Sequence, residues 1–426
     1  MRGLRWFAIL SVLLLATAAR ADVLVVSDGG PYTSIQPAVS AAQDGDIVLV
    51  KSGVYPGFRI TDRSVAVVAD VQHTVVVAGA VTIDRLPAGK TVVLDRLNIV
   101  GPGTKAALNI TSSQGSVRVQ DCFGTGNSGV ASVNADTCGT VGQPHGQTAA
   151  LVLASHDVAF VGGQFSGGGG AYLWDFDCHL HQGSVWNGGD AGHGLSVDNA
   201  TVTLYAVTAY GGSGGTGSYA RQGGHGVRGI NGAQLVLVNV DAIGGPGGDS
   251  LDGIFWDEGG DGGHGVSLEG GSHARRLDCE LSGGFAGSGW AGLGQNGAPV
   301  DGAGTVDSWA GAWRGLGFVN VLREGQVAPL QVSGETGEAV LLYVSLGGSQ
   351  LVFPAFEGAL VLDPSQLIGP YALGVITGGV LTLNVSAPSL PPGWQGLGLL
   401  LQGVTIGPSG SRLTSWGHST LLDAAF

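Results

Sequence analysis

The sequence has little sulfur and little positive charge. Its 426 residues include one methionine and four cysteines, and 18 lysine and arginine residues stand against 32 aspartate and glutamate residues, a formal charge of -14. A nucleic acid or an anionic membrane would require a basic surface, so no nucleic-acid partner is expected. Beyond its first residues the chain also lacks an apolar run of the roughly 20 residues that cross a bilayer, so no membrane span is expected.

Charged residues are scarce, whereas apolar residues and glycine are abundant. The apolar fraction of 44% is too high for a disordered chain and is enough to bury an extended core. Glycine contributes 79 residues, where the average usage of about 7% would give roughly 30. These glycines keep no strict three-residue period along the whole chain, which excludes collagen. The glycine excess therefore needs another structural cause.

The N-terminus has the pattern of a secretory signal peptide. Arg2 and Arg5 form a basic segment, residues 7–15 form an apolar one, and Ala19-Arg20-Ala21 fits a cleavage site before Asp22. The alternative is a retained membrane anchor, for which the apolar run is too short. We therefore expect a soluble protein that is secreted to the extracellular space or the cell surface.

The four cysteines are Cys122, Cys138, Cys178 and Cys279. An even number of cysteines in an exported chain favours disulfides, and their spacing contains no C-x-x-C motif of a zinc or redox site. We expect Cys122 to pair with Cys138 across a short loop, which leaves Cys178 for Cys279. The alternative is a buried free thiol at each site.

A short amphipathic helix and a buried strand are predicted near the N-terminus. Thr33 or Ser34 can cap the helix, and Pro37 lies in its first turn, where its missing N–H costs little. The apolar residues of the helix share one face: Ile35, Ala38, Val39 and Ala42. A helix of this length is only marginally stable in isolation, so it must pack against another element. A turn at residues 44–46 then leads into an apolar strand at residues 47–50.

From there to about residue 320 the chain consists of short strands and turns that repeat. Five units begin with similar apolar runs, at residues 107, 150, 194, 226 and 265, and four of the five close on a double glycine. Constant strands with insertions of variable length are typical of a solenoid. Each unit holds two or three short strands and no helix, which favours a parallel β-helix over leucine-rich or propeller repeats.

The N-terminal segment resembles a known family. Residues 32–39 (Tyr-Thr-Ser-Ile-Gln-Pro-Ala-Val), 45–50 (Gly-Asp-Ile-Val-Leu-Val) and 53–55 (Gly-Val-Tyr) are similar to the N-terminal cap of secreted right-handed parallel β-helix proteins of the pectin-lyase-like superfamily. The resemblance implies a right-handed β-helix whose open first coil is closed by the short helix. It includes no catalytic residue.

The composition changes near residue 321, where glycine becomes less frequent. Strand-like runs at residues 339–346, 359–362, 380–385 and 397–404 alternate with Pro/Gly turns and predict an all-β module that is similar to the C-terminal β-sandwich modules of secreted bacterial proteins. The predicted fold class is all-β. The predicted organisation is a signal peptide (1–21), a parallel β-helix with Gly-rich loops (22–320) and a C-terminal β-sandwich-like module (321–426).

The segment from Trp174 to His181 is a candidate catalytic site. If it is a strand, four polar side chains point to one face: Asp175, Asp177, His179 and His181. Two carboxylates and two imidazoles could bind a divalent metal or act as acid and base on a sugar. The alternative is the solvent face of an ordinary half-buried strand.

A Gly-His-Gly motif opens three of the repeats, with His193, His225 and His264 at its centre. We expect these imidazoles to stack as a ladder along the solenoid, with the glycines meeting the backbone demands of a tight corner. Zinc or copper binding is the second interpretation, and it is disfavoured because a ladder does not converge its nitrogen atoms on one point.

A possible calcium site is centred on Asp249 and Asp252. Residues 244–252 fit the nonapeptide G-G-x-G-x-D-x-U-x that binds Ca²⁺ in β-rolls. In that motif the ion lies between successive copies. Here the neighbouring glycine stretches carry Thr216 and His264 in place of the aspartate, so only one copy is complete.

The Gly-rich loops also combine aromatic and acidic residues. Trp174, Trp186, Trp256 and Trp290 are candidate sugar-binding residues, and Asp257 and Glu258 form a second candidate acid pair. Alternatively, the aromatic residues hold the loops against the solenoid. Residues 170–310 contain four arginines and no lysine. So acidic a surface disfavours polyuronates as substrates.

Three functions are compatible with the sequence. The first is a non-catalytic extracellular protein that binds polysaccharide or a cell surface through its Gly-rich loops. The second is a carbohydrate-active enzyme, a polysaccharide hydrolase or lyase. The third is a structural envelope protein stabilised by Ca²⁺. No nucleotide-binding, serine-hydrolase or zinc-protease motif is found.

Overall fold

Three long parallel β-sheets make up most of the chain. The structure is a computed structural model, and it describes residues 21–133, 140–173, 187–250, 258–353 and 356–426. Sheet A consists of β1 (Val23–Val26), β2 (Asp46–Val50), β5 (Val65–Ala69), β8 (Thr91–Asp95), β11 (Ser116–Gln120), β16 (Val158–Val161), β19 (Thr201–Tyr205), β22 (Gln234–Val238), β25 (His273–Leu277) and β28 (Thr305–Ser308).

The other two parallel sheets have eight strands each. Sheet B consists of β3 (Gly53–Pro56), β6 (Val75–Ala78), β9 (Leu97–Val100), β12 (Phe123–Thr125), β17 (Gln164–Ser166), β20 (Thr208–Tyr210), β23 (Asp241–Ile243) and β26 (Glu280–Ser282). Sheet C consists of β4 (Arg59–Thr61), β7 (Val81–Asp84), β10 (Leu108–Thr111), β15 (Ala150–Leu153), β18 (Leu195–Asp198), β21 (Val227–Ile230), β24 (Val266–Leu268) and β27 (Val300–Asp301). A hairpin of β13 (Val130–Val133) and β14 (Thr140–Gln143) extends one coil.

The chain passes from sheet A to B to C in each coil, which makes a parallel β-helix and confirms the predicted fold class. The five sequence repeats are aligned, because their first strand residues pair in register across sheet C: Leu108, Ala150, Leu195, Val227 and Val266. The variable insertions between repeats leave this register unchanged.

Most corners of the coils are made by residues other than glycine. Ala154 (φ 47) and Asn199 (φ 46) turn the chain from sheet C to sheet A, and Ala206 (φ 51) and Asn239 (φ 52) turn it from A to B. One left-handed residue thus suffices for each of these corners. The glycine excess therefore does not come from these two kinds of corner.

The helix α1 (Ile35–Ala41) closes the first coil, as expected. Ile35, Ala38 and Val39 are buried and belong to the interior core of the β-helix. Ser34 is the N-cap residue, but its side chain makes no capping hydrogen bond. Among the residues that the structure describes, no helix has the length and apolar character needed to cross a bilayer.

The core of the β-helix consists of apolar side chains stacked from coil to coil. Phe160, Leu204 and Leu237 occupy equivalent positions in sheet A and are fully or almost fully buried. The outer face of sheet A is buried as well, so that β2 and β5 bury all of their residues. Burial on both faces explains why these strands are near-continuous apolar runs.

Further strands near the C-terminus cover sheet A. They are β29 (Gly315–Gly317), β30 (Val321–Arg323), β31 (Val327–Ser333), β32 (Ala339–Ser345), β33 (Gly348–Leu351), β34 (Leu360–Leu362), β35 (Ile368–Val375), β36 (Val380–Ser386), β37 (Gly396–Gly407) and β38 (Gly410–Leu422), with a 3₁₀ helix at Pro364–Gln366. They pair in antiparallel fashion except for the parallel pair of β30 with β38. A five-stranded sheet (β30, β38, β37, β32, β35) and a three-stranded sheet (β29, β31, β36) share an apolar core. Trp416 packs with the outward Tyr205, whose hydroxyl donates to the Ala359 carbonyl at 3.0 Å.

The two cysteines in the described part of the chain are free thiols, so neither predicted disulfide is shown. Their predicted partners, Cys138 and Cys178, lie outside the described residues. Cys122 lies in the β-helix core, where burial raises the pKa of its thiol. Cys279 donates its S–H to the carbonyls of Leu237 and Leu277, at 3.3 Å each. Both thiols thus serve the packing of the coils, as the alternative interpretation expected.

Candidate functional site

Between sheets B and C the later coils extend into a two-layered projection of glycine-rich chain, which we call the glycine wing. Each coil contributes an outgoing segment that leaves sheet B and a returning segment that enters sheet C. The outgoing segments are residues 126–129, 167–173, 211–218, 244–250 and 283–289, and the returning segments are residues 144–149, 187–194, 219–226, 258–265 and 292–299.

Outgoing segments of successive coils are hydrogen-bonded at every third residue. The N–H groups of Gly211 and Gly214 donate to the carbonyls of Ile243 and Pro246, both at 2.8 Å, and Gly217 continues the series. A three-residue period without bonds inside the segment is the geometry of the polyproline II helix. The wing is therefore built from extended segments of this type, stacked coil on coil like the strands.

The two layers are also bonded to each other through glycine. The N–H of Gly212 donates to the Gly192 carbonyl, Gly224 to Gly212, and Gly245 to Gly224, each at 2.8 Å. One series of cross-layer bonds connects Gly168, Gly192, Gly212, Gly224, Gly245, Gly263, Gly284 and Gly297. Each glycine after the first donates its N–H to its predecessor in the opposite layer.

Close packing between successive coils explains the glycine excess. A Cβ on Gly212 would come within 3 Å of the Gly168 carbonyl in the preceding coil of the same layer, and one on Gly245 would meet the Gly212 carbonyl in the same way. Neither glycine has a positive φ. Glycine is therefore required here because two backbones approach closely, and a left-handed conformation is not the reason.

Every third residue of a segment points away from the opposite layer. On the outgoing face these residues include Ser213, Pro246, Asp249 and Phe285, all of which are exposed. Neighbouring positions are spaced by about 9 Å along a segment, three times the rise of about 3.1 Å. Between coils the spacing is about 4.8 Å. The wing thus displays side chains on a regular grid.

Several outward residues donate their backbone N–H to a side chain of the preceding coil. The N–H of Asp249 donates to Thr216 Oγ1 at 3.2 Å, and the N–H of Ser288 donates to Asp249 Oδ1 at 2.7 Å. On the returning face the N–H of Gln295 donates to Asp261 Oδ1 at 2.7 Å. Short polar side chains at the outward positions therefore complete the backbone bonding of the wing.

The three Gly-His-Gly histidines form the predicted ladder on the returning face. The rings of His193 and His225 are parallel with centroids 5.0 Å apart, and those of His225 and His264 are 5.1 Å apart. The Nδ1 atoms of His193 and His225 each accept the N–H of the next histidine at 3.0 Å. His264 Nδ1 accepts the N–H of Ala298 at 2.9 Å.

These bonds fix the protonation state of the ladder. Because Nδ1 accepts a hydrogen bond, the rings are neutral and carry their proton on Nε2. Burial lowers the pKa of His193 to about 3 and that of His225 to about 4, and the nearby Arg228 acts in the same direction. Metal binding through Nε2 would require the proton to move to Nδ1 and would break the backbone bonds.

The described residues contain no group of three His, Cys, Asp or Glu side chains that could hold a metal ion. Asp249 Oδ1 is engaged by the N–H and the hydroxyl of Ser288, at 2.7 and 2.8 Å. Asp252, the second predicted ligand, lies outside the described residues. Calcium binding at this segment stays a prediction.

Most of the predicted catalytic and sugar-binding residues also lie outside the described residues. They are Trp174, Asp175, Asp177, His179, His181, Trp186, Trp256 and Asp257. Glu258 and Trp290 are described. Glu258 is exposed at the start of a returning segment, where its backbone pairs with Gly292. It is therefore placed at the outer end of the wing.

Aromatic side chains are exposed on the wing and at its outer end. Phe285 is 79% exposed, Trp290 64%, Tyr172 59% and Tyr219 41%. Tyr172 and Phe285 occupy outward positions of the grid, whereas Trp290 lies in the last turn between the two layers. Of these residues, Trp290 was predicted from the sequence.

The sequence does contain a signal for the wing. Local Gly-Gly-x triplets, as in Gly211-Gly212-Ser213 and Gly214-Gly215-Thr216, have the three-residue period of the bonded segments. Their third residues are the outward ones. The period is interrupted in each coil by the strands, so it is absent from the chain as a whole.

No known family model matches the chain, and a search of the curated proteins finds no match. Function is therefore inferred from the geometry of the wing.

Proposed function

We propose that this protein is a secreted, non-catalytic β-helix protein whose glycine wing binds extracellular polysaccharide or a cell surface. The observation that carries the proposal is the set of exposed aromatic side chains on a backbone that is hydrogen-bonded in two directions. Export through the signal peptide and membership of the pectin-lyase-like superfamily are parts of this proposal. Both are supported by sequence patterns near the N-terminus.

The bonding of the wing favours binding because it removes backbone freedom in advance. A glycine-rich loop is ordinarily flexible and would lose conformational entropy when a ligand orders it. In the wing, Gly212 and its equivalents are bonded to the opposite layer, and Gly211 and its equivalents to the next coil. A preorganised surface binds more tightly because this entropic cost was met during folding.

The side chains of the wing suit a neutral glycan. The faces of Phe285, Trp290 and Tyr172 can stack on sugar rings, and the carboxylates of Asp190 and Asp261 can accept hydrogen bonds from hydroxyl groups. Arg221 is the only lysine or arginine in the segments of the wing. Its Nε lies 3.6 Å from Asp190 Oδ1, so little positive charge is left for a polyanion.

A polysaccharide hydrolase or lyase is the alternative function. Most of its candidate catalytic residues lie outside the described part of the chain. Of these candidates, the structure describes the position of Glu258 alone. No specific contact of Glu258 favours catalysis over binding. The two functions are separated by whether a bound polysaccharide is cleaved.

The proposal is tested by retention on immobilised glycans. Residues 22–426 are purified, and the wild type is compared with the Phe285→Ala/Trp290→Ala double variant on neutral and acidic polysaccharides. Each aromatic contact contributes about 0.5–1.5 kcal/mol. We therefore expect the double variant to bind the preferred neutral glycan about tenfold more weakly.

The control is Phe123→Ala, which removes a 50% exposed aromatic side chain from β12 outside the wing. It should leave retention unchanged. Equal retention of the wild type and the double variant would refute a binding role for the wing. The appearance of new reducing ends, or of unsaturated uronides, would instead establish the enzyme.

A further inference from the structure

The two ends of the β-helix differ in how their core and strand edges are covered. At the first coil, α1 inserts its apolar face into the core. At the last coil, β26, β27 and β28 are each the final strand of their sheet, and none of the described residues forms a strand beyond them. Leu281 and Val306 are only partly buried there, although they pack against the core.

The outer edge of β28 presents backbone groups that pair with no described strand. The N–H groups of Thr305 and Trp309 donate to carbonyls of the preceding coil, at 3.1 and 2.9 Å. Because the hydrogen-bonding direction alternates along a parallel strand, the N–H and carbonyl of Val306 point to the open side. Such an edge is a template for one more strand.

A pocket of about 310 Å³ lies beside this edge on the outer face of sheet A. Arg275, Asp307, Trp309 and Phe353 line it, and the guanidinium of Arg275 lies 6.0 Å from the centre of the Trp309 ring. The apolar lip of the pocket continues through Leu351–Phe353, whose side chains are 36–39% exposed. The pocket is large enough to receive one aromatic side chain.

Each of the three edge strands carries an exposed acidic residue. These residues are Glu280 on β26, Asp301 on β27 and Asp307 on β28. Asp307 lies 3.0 Å from His273 Nε2 and 4.0 Å from Arg275 Nε, yet its side chain remains 66% exposed. Two copies of this end would bring like charges together, which disfavours self-association and favours a cationic partner.

From these observations we propose that the C-terminal end of the β-helix is a docking site for an extended basic segment of another protein. The segment pairs with β28 as an added strand and places an aromatic side chain in the pocket between Trp309 and Phe353. A lysine or arginine two residues away then lies opposite Asp307. Backbone bonds supply affinity in such strand addition, and the pocket and the charge supply specificity.

The experiment uses a synthetic heptapeptide as the probe. One face of the peptide carries lysine and phenylalanine two residues apart, and the other face carries valine. Fluorescence polarisation with the full protein should detect binding that weakens at least tenfold in Trp309→Ala and in Asp307→Lys. Val306→Pro should also abolish binding, since it removes an N–H that no ladder bond of β28 uses.

Two controls separate this site from the wing and from misfolding. Phe285→Ala/Trp290→Ala should bind the peptide like the wild type, so a failure of the glycan proposal leaves this test intact. Each edge variant must retain the thermal unfolding midpoint of the wild type within a few degrees, and Thr305→Ser, a conservative change on β28, should bind normally.

Several outcomes would overturn the proposal. The peptide must lose binding when its alternate amides are N-methylated, because that change blocks the backbone ladder. Equal binding of the methylated peptide, or of a peptide with glutamate for lysine, would disprove strand addition to an acidic edge. Concentration-dependent dimers of the protein that are abolished by Val306→Pro would show that a second copy covers the edge instead.

Discussion

The body of the β-helix, formed by sheets A, B and C, and the glycine wing belong to the same coils. They differ in whether side chains or bare backbone fill the space between neighbouring segments. In the body, adjacent coils are held by stacked apolar side chains such as Phe160, Leu204 and Leu237. In the wing, successive coils approach so closely that a single methyl group would overlap a carbonyl oxygen of the preceding coil, as at Gly212 and Gly245. The absence of side chains is what allows the wing to pack.

The comparison separates two structural uses of glycine. Gly232 has φ +83 and open space around its missing Cβ, so there glycine serves backbone conformation. Gly245 has an ordinary φ and a crowded Cβ position, so there it serves close packing. The corners of the coils are made largely by asparagine, alanine and other residues. A high glycine content is therefore a feature of the wing and not of the turns of the solenoid.

The largest effect is expected for a truncation in the body. Leu204→Ala removes a fully buried side chain of β19 from the stacked core. The lost burial and the remaining cavity should cost about 3 kcal/mol of unfolding free energy. Urea denaturation measures this loss. Val54→Ala, at a side chain 71% exposed on β3, should stay within about 0.5 kcal/mol of the wild type; a similar loss in both variants would contradict the assignment of the core.

A somewhat smaller effect is expected for an added methyl group in the wing. Gly245→Ala should cost about 1–3 kcal/mol, because the methyl group would overlap the Gly212 carbonyl and force the two neighbouring coils apart. Amide exchange should accelerate in residues 211–226 and 244–250 and stay unchanged in sheet A. The matched substitution Gly232→Ala meets no atom and should cost about 1 kcal/mol through its positive φ. Faster exchange in the wing of Gly232→Ala would mean that close packing is not the special demand of the wing.

The third effect depends on pH: it is expected from acid acting on the histidine ladder and is absent at neutral pH. Histidines of the unfolded chain take up a proton near pH 6.5. The folded pKa is about 3 for His193 and about 4 for His225. Since these values are lowered by folding, the stabilising contribution is complete above about pH 6.5 and is lost progressively as the pH falls toward 4 and then 3. The slope is at most about 1.4 kcal/mol per pH unit for each histidine.

A variant that keeps the backbone hydrogen bonds of the ladder but lacks the titrating imidazoles tests this account. His193→Asn/His225→Asn keeps an oxygen near the position of Nδ1, so it can still accept the backbone N–H of the next coil. Urea midpoints between pH 7 and pH 4 should fall less steeply for the variant than for the wild type. The carboxyl groups titrate in both proteins, so their effect cancels. Identical pH profiles would show that the ladder does not take part.

Much of the strand pattern could be predicted from the sequence. The apolar runs predicted at residues 339–346 and 380–385 correspond to β32 (Ala339–Ser345) and β36 (Val380–Ser386). Stacking of the ladder histidines followed from a motif that recurs at the start of successive repeats. These predictions hold because they depend on local apolar patterns and on the repeat, which survives insertions of variable length.

The candidate site was less predictable. The disulfides were predicted from the cysteine count and the inferred compartment, and neither reports that Cys122 and Cys279 lie within packed coils. Phe285 and Tyr172 were not singled out as ligand-binding residues, because exposure of an aromatic side chain depends on which layer it faces. Their outward orientation follows from a register of bonds between segments that are distant in the sequence.

By itself, the sequence determined the solenoid, its helical cap and the antiparallel strands that follow it, since each of these depends on the spacing of apolar and turn residues along the chain. Only the tertiary structure decided that the antiparallel strands cover sheet A, that the glycine segments pair into two bonded layers, and that the last coil has an open acidic edge. These features arise from backbone contacts between distant segments, and in the wing glycine has no side chain whose pattern could reveal its neighbour.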